Sequence, residues 1–383
     1  MPRGEALARG PDIVAEVRQA GDLAALGRDW RALEARSEAS FFQSWSWIGT
    51  WLECLPADRR PDILALRRLG EIVGLAALGR RTERRHGVLA AHGLYLNETG
   101  DPVFDCLTVE YNGVLADPEG ASDIARAAIG HLVQGVAGWD EAHLSGVPAT
   151  GAIDYAALVA EFGLSVRTLA RSDCRYVDLA RIRAEGGAYL ERVSANTRYQ
   201  VRRALRRYAA RGKVALTVAQ NADESLARFD ELKRLHQAAW TARGEPGSFA
   251  NPFFEKFHRA LIARTAGTGE TQLVRVAAGE ATVGILYNFA RRGRIHAYQS
   301  GFAYESDNAV KPGLVSHALA IDHAIASGAD IYDFMAGEAQ HKASLATGSR
   351  ALAWLAARRP AAKYRIEDAL RAAKRRLRGE PRA

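Results

Sequence analysis

Two stretches of alternating apolar and polar positions, far apart in the chain, have nearly the same layout. The first reads ILALRRLGEIVGLAALGRR from Ile63, and the second reads LVRVAAGEATVGILYNFARR from Leu273. In each, an apolar strand reaches a Gly-Glu turn, at Gly70-Glu71 and at Gly279-Glu280, and a second apolar strand with a Val-Gly pair follows. Alternation on both sides of a short glycine turn predicts a β-hairpin at each position.

The elements that flank the two hairpins recur in the same order. Before each hairpin a helix opens at a Phe-Phe pair, Phe41-Phe42 or Phe253-Phe254. After each hairpin, an amphipathic helix and a short strand are predicted, at Ile124–Gly138 and Glu141–Ser145 and again at Leu314–Gly328 and Asp330–Phe334. A collinear recurrence of four elements indicates a duplicated domain. We therefore predict an N-terminal domain over residues 1–168, a C-terminal domain over 169–359 and a basic C-terminal helix or tail over 360–383.

The C-terminal copy predicts a mixed sheet with helices on its faces. Asn251 caps one helix and Pro252 takes its first position, a combination typical of helix N-termini. The other predicted elements are strands at Lys213–Ala219, Arg294–Phe302 and Leu352–Ala357, and helices at Ala222–Arg243 and Gln340–Ala346. The resulting order, β-α-α-β-β-β-α-β-α-β, predicts an α/β chain with an α+β type of mixed sheet in each of two tandem domains.

The composition indicates a globular protein, with 48% hydrophobic and 25% charged residues. The opening MPRGEALARG lacks the apolar core of a signal peptide, and no apolar stretch approaches the ~20 residues that span a bilayer. The cysteines Cys54, Cys106 and Cys174 are far apart and without metal-ligand spacing, which is typical of free thiols in a reducing compartment. We therefore predict a cytoplasmic protein that binds no metal.

The formal net charge of +8 is concentrated in two basic segments. Residues Arg198 to Arg211 carry Val201, Leu205 and Tyr208 at helical spacing, so they predict an amphipathic helix with one arginine-rich face. A second basic helix is predicted at Lys363–Arg378. These faces either contact an anionic partner, namely the membrane surface, a lipid-linked sugar or tRNA, or they are ordinary solvated faces.

The order of elements resembles the GNAT acyltransferase fold, and local motifs resemble one branch of it. The N-terminal copy has Phe42-Gln43-Ser44 followed by Trp45, Trp47 and Trp51. The C-terminal copy has Lys311-Pro312-Gly313 and then Tyr332-Asp333-Phe334, with Gly337, Glu338 and Lys342 after it. Over about residues 10 to 358 the chain resembles the tandem GNAT proteins of the cellulose-biosynthesis acetyltransferase (CelD/BcsL-like) family and, more distantly, Fem-type peptidyltransferases.

This resemblance implies an enzyme whose C-terminal copy is active and whose N-terminal copy is a degenerate relative. The implied reaction is transfer of an acyl group from acetyl-CoA or another acyl-CoA to a small-molecule or lipid-linked sugar or amino sugar of envelope or exopolysaccharide biosynthesis. Two alternatives stay open: a Fem-like transferase that uses aminoacyl-tRNA, and a non-catalytic protein that binds a precursor or partner. Nucleic acid is expected as a partner only in the first alternative.

The donor site is predicted at the start of the helix from Leu314. Backbone N–H groups at a helix N-terminus attract phosphate, Lys311 adds a positive charge, and Gly313 permits close backbone approach. The residues assigned to the acyl-CoA are Val310, Lys311, Gly313 and Leu314. An ordinary helix-entry turn is the structural alternative, and the loop lacks the glycine-rich signature of typical acetyl-CoA-binding GNAT proteins.

Four residues are candidates for the chemistry. Asp333 lies at the C-terminal end of a strand, where mixed sheets place ligands, and can remove a proton from an amine or hydroxyl. His341 is the alternative base, and Lys342 can bind a phosphate or carboxylate. Tyr298 can protonate the leaving sulfur, although Tyr287, Tyr304 and Tyr332 are rivals. A buried acceptor at Asp333, core tyrosines and a solvated helix face at His341 and Lys342 are the structural alternatives.

Three further residues are assigned to the acceptor. Trp240 and Arg243 end a long helix beside the connection TARGEPGSFAN, which predicts a loop that shapes the acceptor pocket. Glu338 lies in the turn after Asp333 and is the third candidate.

Overall fold

The computed structural model of the chain describes residues 13–85 and 89–367, with the side chain of Gln340 excepted. The basic helix predicted at Lys363–Arg378 lies largely outside these residues; only its start, at 362–367, is described, and it is helical. Among the described helices, none is long and apolar enough to cross a lipid bilayer.

The N-terminal half begins with a strand and two helices and continues with a hairpin. Its strands are β1 (Ile13–Gln19), β2 (Asp62–Arg68), β3 (Glu71–Arg85), β4 (Leu89–Leu96), the short β5 (Leu115–Ala116) and β6 (Glu141–Pro148). Its helices are α1 (Leu23–Arg36), α2 (Trp45–Cys54), α3 (Ala121–Gln134) and α4 (Tyr155–Glu161). Short polar side chains begin these helices: the Asp22 carboxylate accepts from the Ala24 N–H at 2.8 Å, and Ser44 caps α2.

The C-terminal half repeats this order after a connection. The connection consists of β7 (Ser165–Asp178), α5 (Leu179–Glu185) and α6 (Ala195–Ala209). The remaining strands are β8 (Val214–Val218), β9 (Thr271–Ala278), β10 (Ala281–Arg291), β11 (Arg294–Phe302), β12 (Ile331–Asp333) and β13 (Gly348–Arg358). The remaining helices are α7 (Ala222–Thr241), α8 (Pro252–Thr265), α9 (Pro312–Ala326) and α10 (Gln340–Leu345).

All described strands belong to one sheet, and equivalent strands of the two halves occupy equivalent positions when counted from its two ends. The order is β1-β2-β3-β4-β6-β13-β7-β12-β11-β10-β9-β8, with β5 paired to β3. Each half therefore contributes five strands in the same relative order, with two antiparallel strands, β13 and β7, at the centre. This symmetry confirms the predicted mixed sheet and the tandem duplication.

The two central strands are exchanged between the halves. β7 leaves the N-terminal half and pairs with β12, and β13 returns from the C-terminal half and pairs with β6. The boundary predicted between residues 168 and 169 falls inside β7, which is a continuous strand of 14 residues.

The repeated Val-Gly pair has the same structural role in both hairpins. The pairing register shifts at Val73 and at Val283, so each valine is the extra residue of a β-bulge. A Cβ on Gly74 would lie 2.7 Å from a methyl carbon of Ile124 in α3, and a Cβ on Gly284 would lie 2.7 Å from the Ser316 hydroxyl in α9. Glycine is required because a helix packs directly against the bulge in each copy.

The two halves share one hydrophobic core at their junction. α2 packs on α8, and the Phe41 ring stacks on Phe289 with centroids 4.3 Å apart. Trp47 meets Phe257 edge-on at 4.7 Å, and both are buried. Aromatic pairs in such geometries add stability beyond the area they bury, so this junction contributes to the stability of both halves.

Several predicted boundaries are corrected by the structure. The first hairpin turns at Leu69-Gly70, one residue earlier than predicted, because both residues take left-handed φ angles, 51° and 87°. The Phe41 segment is a 3-10 turn, and α2 begins only at Trp45. Helix α9 begins at Pro312 instead of Leu314, so Gly313 lies inside its first turn.

Candidate functional site

Strands β11 and β12 pair only briefly and then separate. Their parallel pairing covers Arg294–His296 against Ile331–Asp333. Beyond it, the register of β11 against β10 shifts, which leaves Tyr298 as a bulged residue. β11 continues to Phe302 while β12 ends at Asp333, so the segment of β11 beyond His296 is not paired with β12; this unpaired side of β11 is called the groove below.

The far end of this groove meets the N-terminus of helix α9. Lys311 is the N-cap residue and makes no side-chain cap, and Val310 before it is buried. A Cβ on Gly313 would lie 3.4 Å from the Phe302 ring, an ordinary contact distance, so the helix start lies against the end of β11. At ~3.3 Å per residue, His296 and Phe302 are about 20 Å apart along the strand.

Asp333 is fully buried at the near end of the groove. Its carboxylate accepts hydrogen bonds from the Tyr111 hydroxyl at 2.5 Å, the Arg294 guanidinium at 3.2 Å and the Met335 backbone N–H at 2.8 Å. Burial and the adjacent Asp333 raise the pKa of Tyr111, so its hydroxyl stays protonated and donates. Asp333 is thus held by groups from both halves of the chain.

A second buried carboxylate, Glu110, lies beside Asp333. It is 3% exposed and accepts from the Ala336 N–H at 2.9 Å and from the Cys174 thiol at 3.5 Å. Burial raises the pKa of Glu110 to about 7, and Asp333 adds to the effect. The Lys342 ammonium donates to the Ala336 carbonyl at 2.6 Å, and burial lowers its pKa. In this buried cluster the pKa of Glu110 is raised and that of Lys342 is lowered, so both are shifted towards neutral pH.

A cavity of 760 Å³ lies between the two halves and reaches this cluster. Tyr111, Arg294 and His296 line its inner end, and Arg292 and Arg350 line it further out. His296 is 1% exposed, its Nδ1 has no hydrogen-bond partner among the described residues, and burial lowers its pKa to about 4. The cavity therefore offers a neutral imidazole at its inner end and guanidinium groups around it.

The structure brings together only some of the predicted catalytic residues. Asp333 and Lys342 belong to the same buried cluster. The Tyr298 hydroxyl donates to the Leu107 carbonyl and lies 3.3 Å from His258 Nε2. The Tyr298 hydroxyl is therefore bonded to a loop of the N-terminal half, and its backbone lies at the bulge of β11.

His341 is packed against the helix that bears the donor residues. Its ring stacks on His317 with centroids 5.3 Å apart, and burial lowers its pKa to about 4. The predicted solvated helix face is therefore wrong for His341, because α10 packs on α9. His317 itself is buried, as expected of a core histidine, and bonds to the Tyr332 hydroxyl at 2.9 Å.

The three predicted acceptor residues lie on the surface. Trp240 lies in the last turn of α7 and is 37% exposed, and the guanidinium of Arg243, which follows the helix, lies 5.8 Å from its ring centroid. Glu338 is exposed in the turn before α10. The predicted donor residues Lys311 and Leu314 are partly exposed at the start of α9.

Glu110 and Tyr111 were missed by sequence reasoning because they belong to the other half of the chain. They lie in the loop between β4 and β5, which crosses the junction and bonds to both β11 and the turn after β12. Thr108 and Tyr111 take left-handed φ angles of 52° and 51°, which non-glycine residues rarely adopt. Nothing in the local sequence, LTVEYNG, distinguishes this loop from an ordinary connection.

Within residues 13–85 and 89–367, no group of three or more His, Cys, Asp and Glu side chains is arranged to hold a metal ion. Cys54 and Cys174 are buried and Cys106 is half-buried, and all three are free thiols.

Residues 195–343 match the family model of the acetyltransferase (GNAT) domain. The matched stretch runs from α6 to α10 and contains the groove, α9 and Asp333. No curated protein matches the chain. This part of the chain is thus similar in sequence to acetyltransferase (GNAT) domains.

Solved structures resemble the whole chain at low sequence identity. FemX is 13% identical with a TM-score of 0.53, and the likeness covers 86% of this chain and 95% of FemX. L-PGS from Bacillus licheniformis is 11% identical with a TM-score of 0.54, covering 90% and 94%. These likenesses establish a shared fold across both halves, and function has to be argued from the site.

Proposed function

We propose that this chain, whose residues 195–343 form an acetyltransferase (GNAT) domain, transfers an acyl group from acyl-CoA to an amine or hydroxyl group of a sugar or amino-sugar acceptor. The observation that carries the proposal is the groove between β11 and β12. Its side of β11 is unpaired with β12 from Ala297 to Phe302, and at the other end of this segment Arg294 and His296 line the interdomain cavity.

The donor is assigned to the groove. The N–H groups of the first turn of α9 and the Lys311 ammonium bind the phosphates of CoA, with Val310, Gly313 and Leu314 around them. The pantetheine arm then follows β11, whose backbone groups are free of β12 beyond His296. The thioester reaches the bulge at Tyr298, next to the buried cluster.

The acceptor approaches Asp333 from the cavity. The Tyr111 oxygen accepts a hydrogen bond from the attacking amine or hydroxyl while its own proton is donated to Asp333. The nucleophile forms a bond to the thioester carbonyl carbon, the C–S bond breaks, and the nucleophile's proton passes through Tyr111 to the carboxylate. The CoA thiolate leaves and is protonated by water.

Calorimetric titration with acetyl-CoA and a longer acyl-CoA tests the donor site. The double variant Lys311→Ala, Gly313→Val removes the charge and fills the helix start, so we expect at least a tenfold loss of affinity. Lys213→Ala is the matched control, because Lys213 is exposed and has no ion-pair partner among the described residues. Unchanged binding in the double variant, or no binding by the wild-type protein, would contradict the proposal.

The acceptor class, a component of envelope or exopolysaccharide, rests on the likeness of the motifs to the cellulose-biosynthesis acetyltransferase family. Deleting the gene in its host and measuring the acyl content of isolated polysaccharide tests this part. An unchanged acyl content would exclude it and leave the transferase assignment intact.

A second candidate function is transfer from aminoacyl-tRNA, and the arginine face of α6 favours it. Arg202, Arg203 and Arg206 are exposed and have no carboxylate partner among the described residues, while Arg207 pairs with Asp307 at 3.1 Å. Because Asp307 precedes α9, this face lies beside the assigned donor site. Filter binding with charged tRNA at physiological salt discriminates between the two candidate functions. Retention of the tRNA would support the second candidate, and absence of retention would exclude it.

A further inference from the structure

The charged side chains that line the interdomain cavity are mainly positive. Four arginines line it, against one carboxylate, that of Glu38. Two of the arginines are already neutralised: Arg291 lies 2.8 Å from Glu34 and 3.3 Å from Glu270, and Arg294 is paired with Asp333. The charge available to a ligand is therefore that of the other two arginines.

Arg292 and Arg350 have no carboxylate partner among the residues that the structure describes. Arg292 donates to the backbone carbonyls of Glu34 at 3.1 Å and Ala35 at 3.0 Å, which fixes its guanidinium at the end of α1. The Arg350 guanidinium lies 4.9 Å from the centroid of the Tyr176 ring. Each is thus positioned by neutral groups, and its charge is not cancelled.

The inner end of the cavity has a different chemistry. Tyr111 and His296 are uncharged there, and the buried His296 Nδ1 has no partner within residues 13–85 and 89–367. A buried polar atom without a partner is uncommon in proteins, so His296 Nδ1 is a hydrogen-bonding group that the described residues leave unsatisfied. The cavity is thus polarised, with hydrogen-bonding groups beside Asp333 and free guanidinium groups further out.

We propose that this cavity is the acceptor site and that the acceptor carries a phosphate group, which Arg292 and Arg350 bind. The inference rests on the proposed transferase function, because it places the acceptor's amine or hydroxyl group at Tyr111 and His296. A phosphate carries up to two negative charges and offers three acceptor oxygens, so its charge and hydrogen-bonding capacity match two guanidinium groups. The volume of 760 Å³ is in the ~300–1,000 Å³ range of small-molecule sites and suits a phosphorylated monosaccharide.

Titration of the full chain with glucosamine 1-phosphate, at constant ionic strength, tests the phosphate site. We expect saturable binding that the double variant Arg292→Gln, Arg350→Gln weakens at least tenfold, whereas unphosphorylated glucosamine binds at least tenfold more weakly than the phosphate. The matched control is Arg28→Gln, Arg84→Gln, which removes the same charge at two exposed arginines outside the cavity. An equal loss of affinity in both double variants would mean non-specific attraction and would overturn the inference.

Two further probes distinguish the sources of the phosphate. UDP represents a nucleotide-linked sugar, and farnesyl diphosphate represents a lipid-linked one. The probe that binds most tightly and loses affinity in the Arg292→Gln, Arg350→Gln variant identifies the carrier. If none of the three phosphate probes binds, the inference is overturned.

Acyl-CoA titration of the same variants separates this inference from the proposed function. Arg292 and Arg350 lie outside the groove, so the double variant should keep wild-type affinity for acyl-CoA. Acyl-CoA binding without phosphate-probe binding would refute the acceptor inference alone. Phosphate-probe binding without acyl-CoA binding would refute the donor assignment, and the cavity would remain a phosphate site.

Discussion

Replacing Glu110 by glutamine should stabilise the protein at alkaline pH. Glu110 is 3% exposed, and its burial raises the pKa from an ordinary value of 4.5 to about 7. Glutamine has nearly the same shape, stays uncharged at all relevant pH values and keeps an oxygen that can accept from the Ala336 N–H. The substitution therefore removes only the cost of ionising a buried carboxyl group.

The size and sign of the effect follow from the two pKa values. Below pH 4.5 the carboxyl group is protonated in both the folded and the unfolded chain. Between pH 4.5 and 7 the unfolded chain releases the proton while the folded chain keeps it, so the free energy of unfolding falls as the pH rises. At ~1.4 kcal/mol per pH unit, the wild-type protein loses about 3 kcal/mol over this interval.

Urea unfolding at pH 4.5 and pH 8, followed by far-ultraviolet circular dichroism, measures the difference. We expect Glu110→Gln to exceed the wild-type free energy of unfolding by about 3 kcal/mol at pH 8 and by less than about 1 kcal/mol at pH 4.5. Glu71→Gln is the control, because Glu71 is exposed in a hairpin and has no ion-pair partner among the described residues. A difference between variant and wild type that is the same at both pH values would refute the reasoning.

Three other substitutions test the packing and the polar cluster. Gly284→Ala should cost ~1–3 kcal/mol of the free energy of unfolding, since the new methyl group meets α9 at the bulge, whereas Gly267→Ala has no atom within 4 Å and should change it by less than about 0.5 kcal/mol. Arg294→Met leaves the buried Asp333 carboxylate without its cation and should cost about 3 kcal/mol by urea unfolding; a neutral result would show that the pair is not needed. Tyr111→Phe should lower the turnover number of the transferase about 100-fold and leave acyl-CoA affinity unchanged, so an unchanged rate would exclude the proton route through its hydroxyl.

The repeated architecture could be predicted from the sequence because its signals are local. Alternation and a glycine turn specify each hairpin, and Asn251 with Pro252 specifies the start of α8, which the structure confirms. The exchange of β7 and β13 could not be predicted, because an apolar strand has no local mark of which neighbour it joins. The partners of β7 and β13 depend on tertiary contacts between two halves that are distant in sequence.

The site was predictable only where one half supplies it. Asp333 and Lys342 follow a strand of the C-terminal copy and could be identified from their position, and the structure places both in the buried cluster. Glu110 and Tyr111 reach the cluster from a loop of the N-terminal copy. This tertiary contact leaves no pattern of apolar and polar positions in the sequence. The arginines of the cavity come from the end of β10 and the turn after it, from β11 and from β13, so the local sequence does not show that they line one cavity.

The exchanged strands also bear on how the protein is made on the ribosome. The edge of β6 is closed only by β13, at residues 348–358, which are synthesised about 200 residues after β6 itself. At ~5–20 residues per second, the nascent N-terminal half waits at least ten seconds for the strand that completes its sheet. During that time β6 offers unpaired backbone groups to other chains, so we expect the emerging polypeptide to depend on chaperones that cover strand edges.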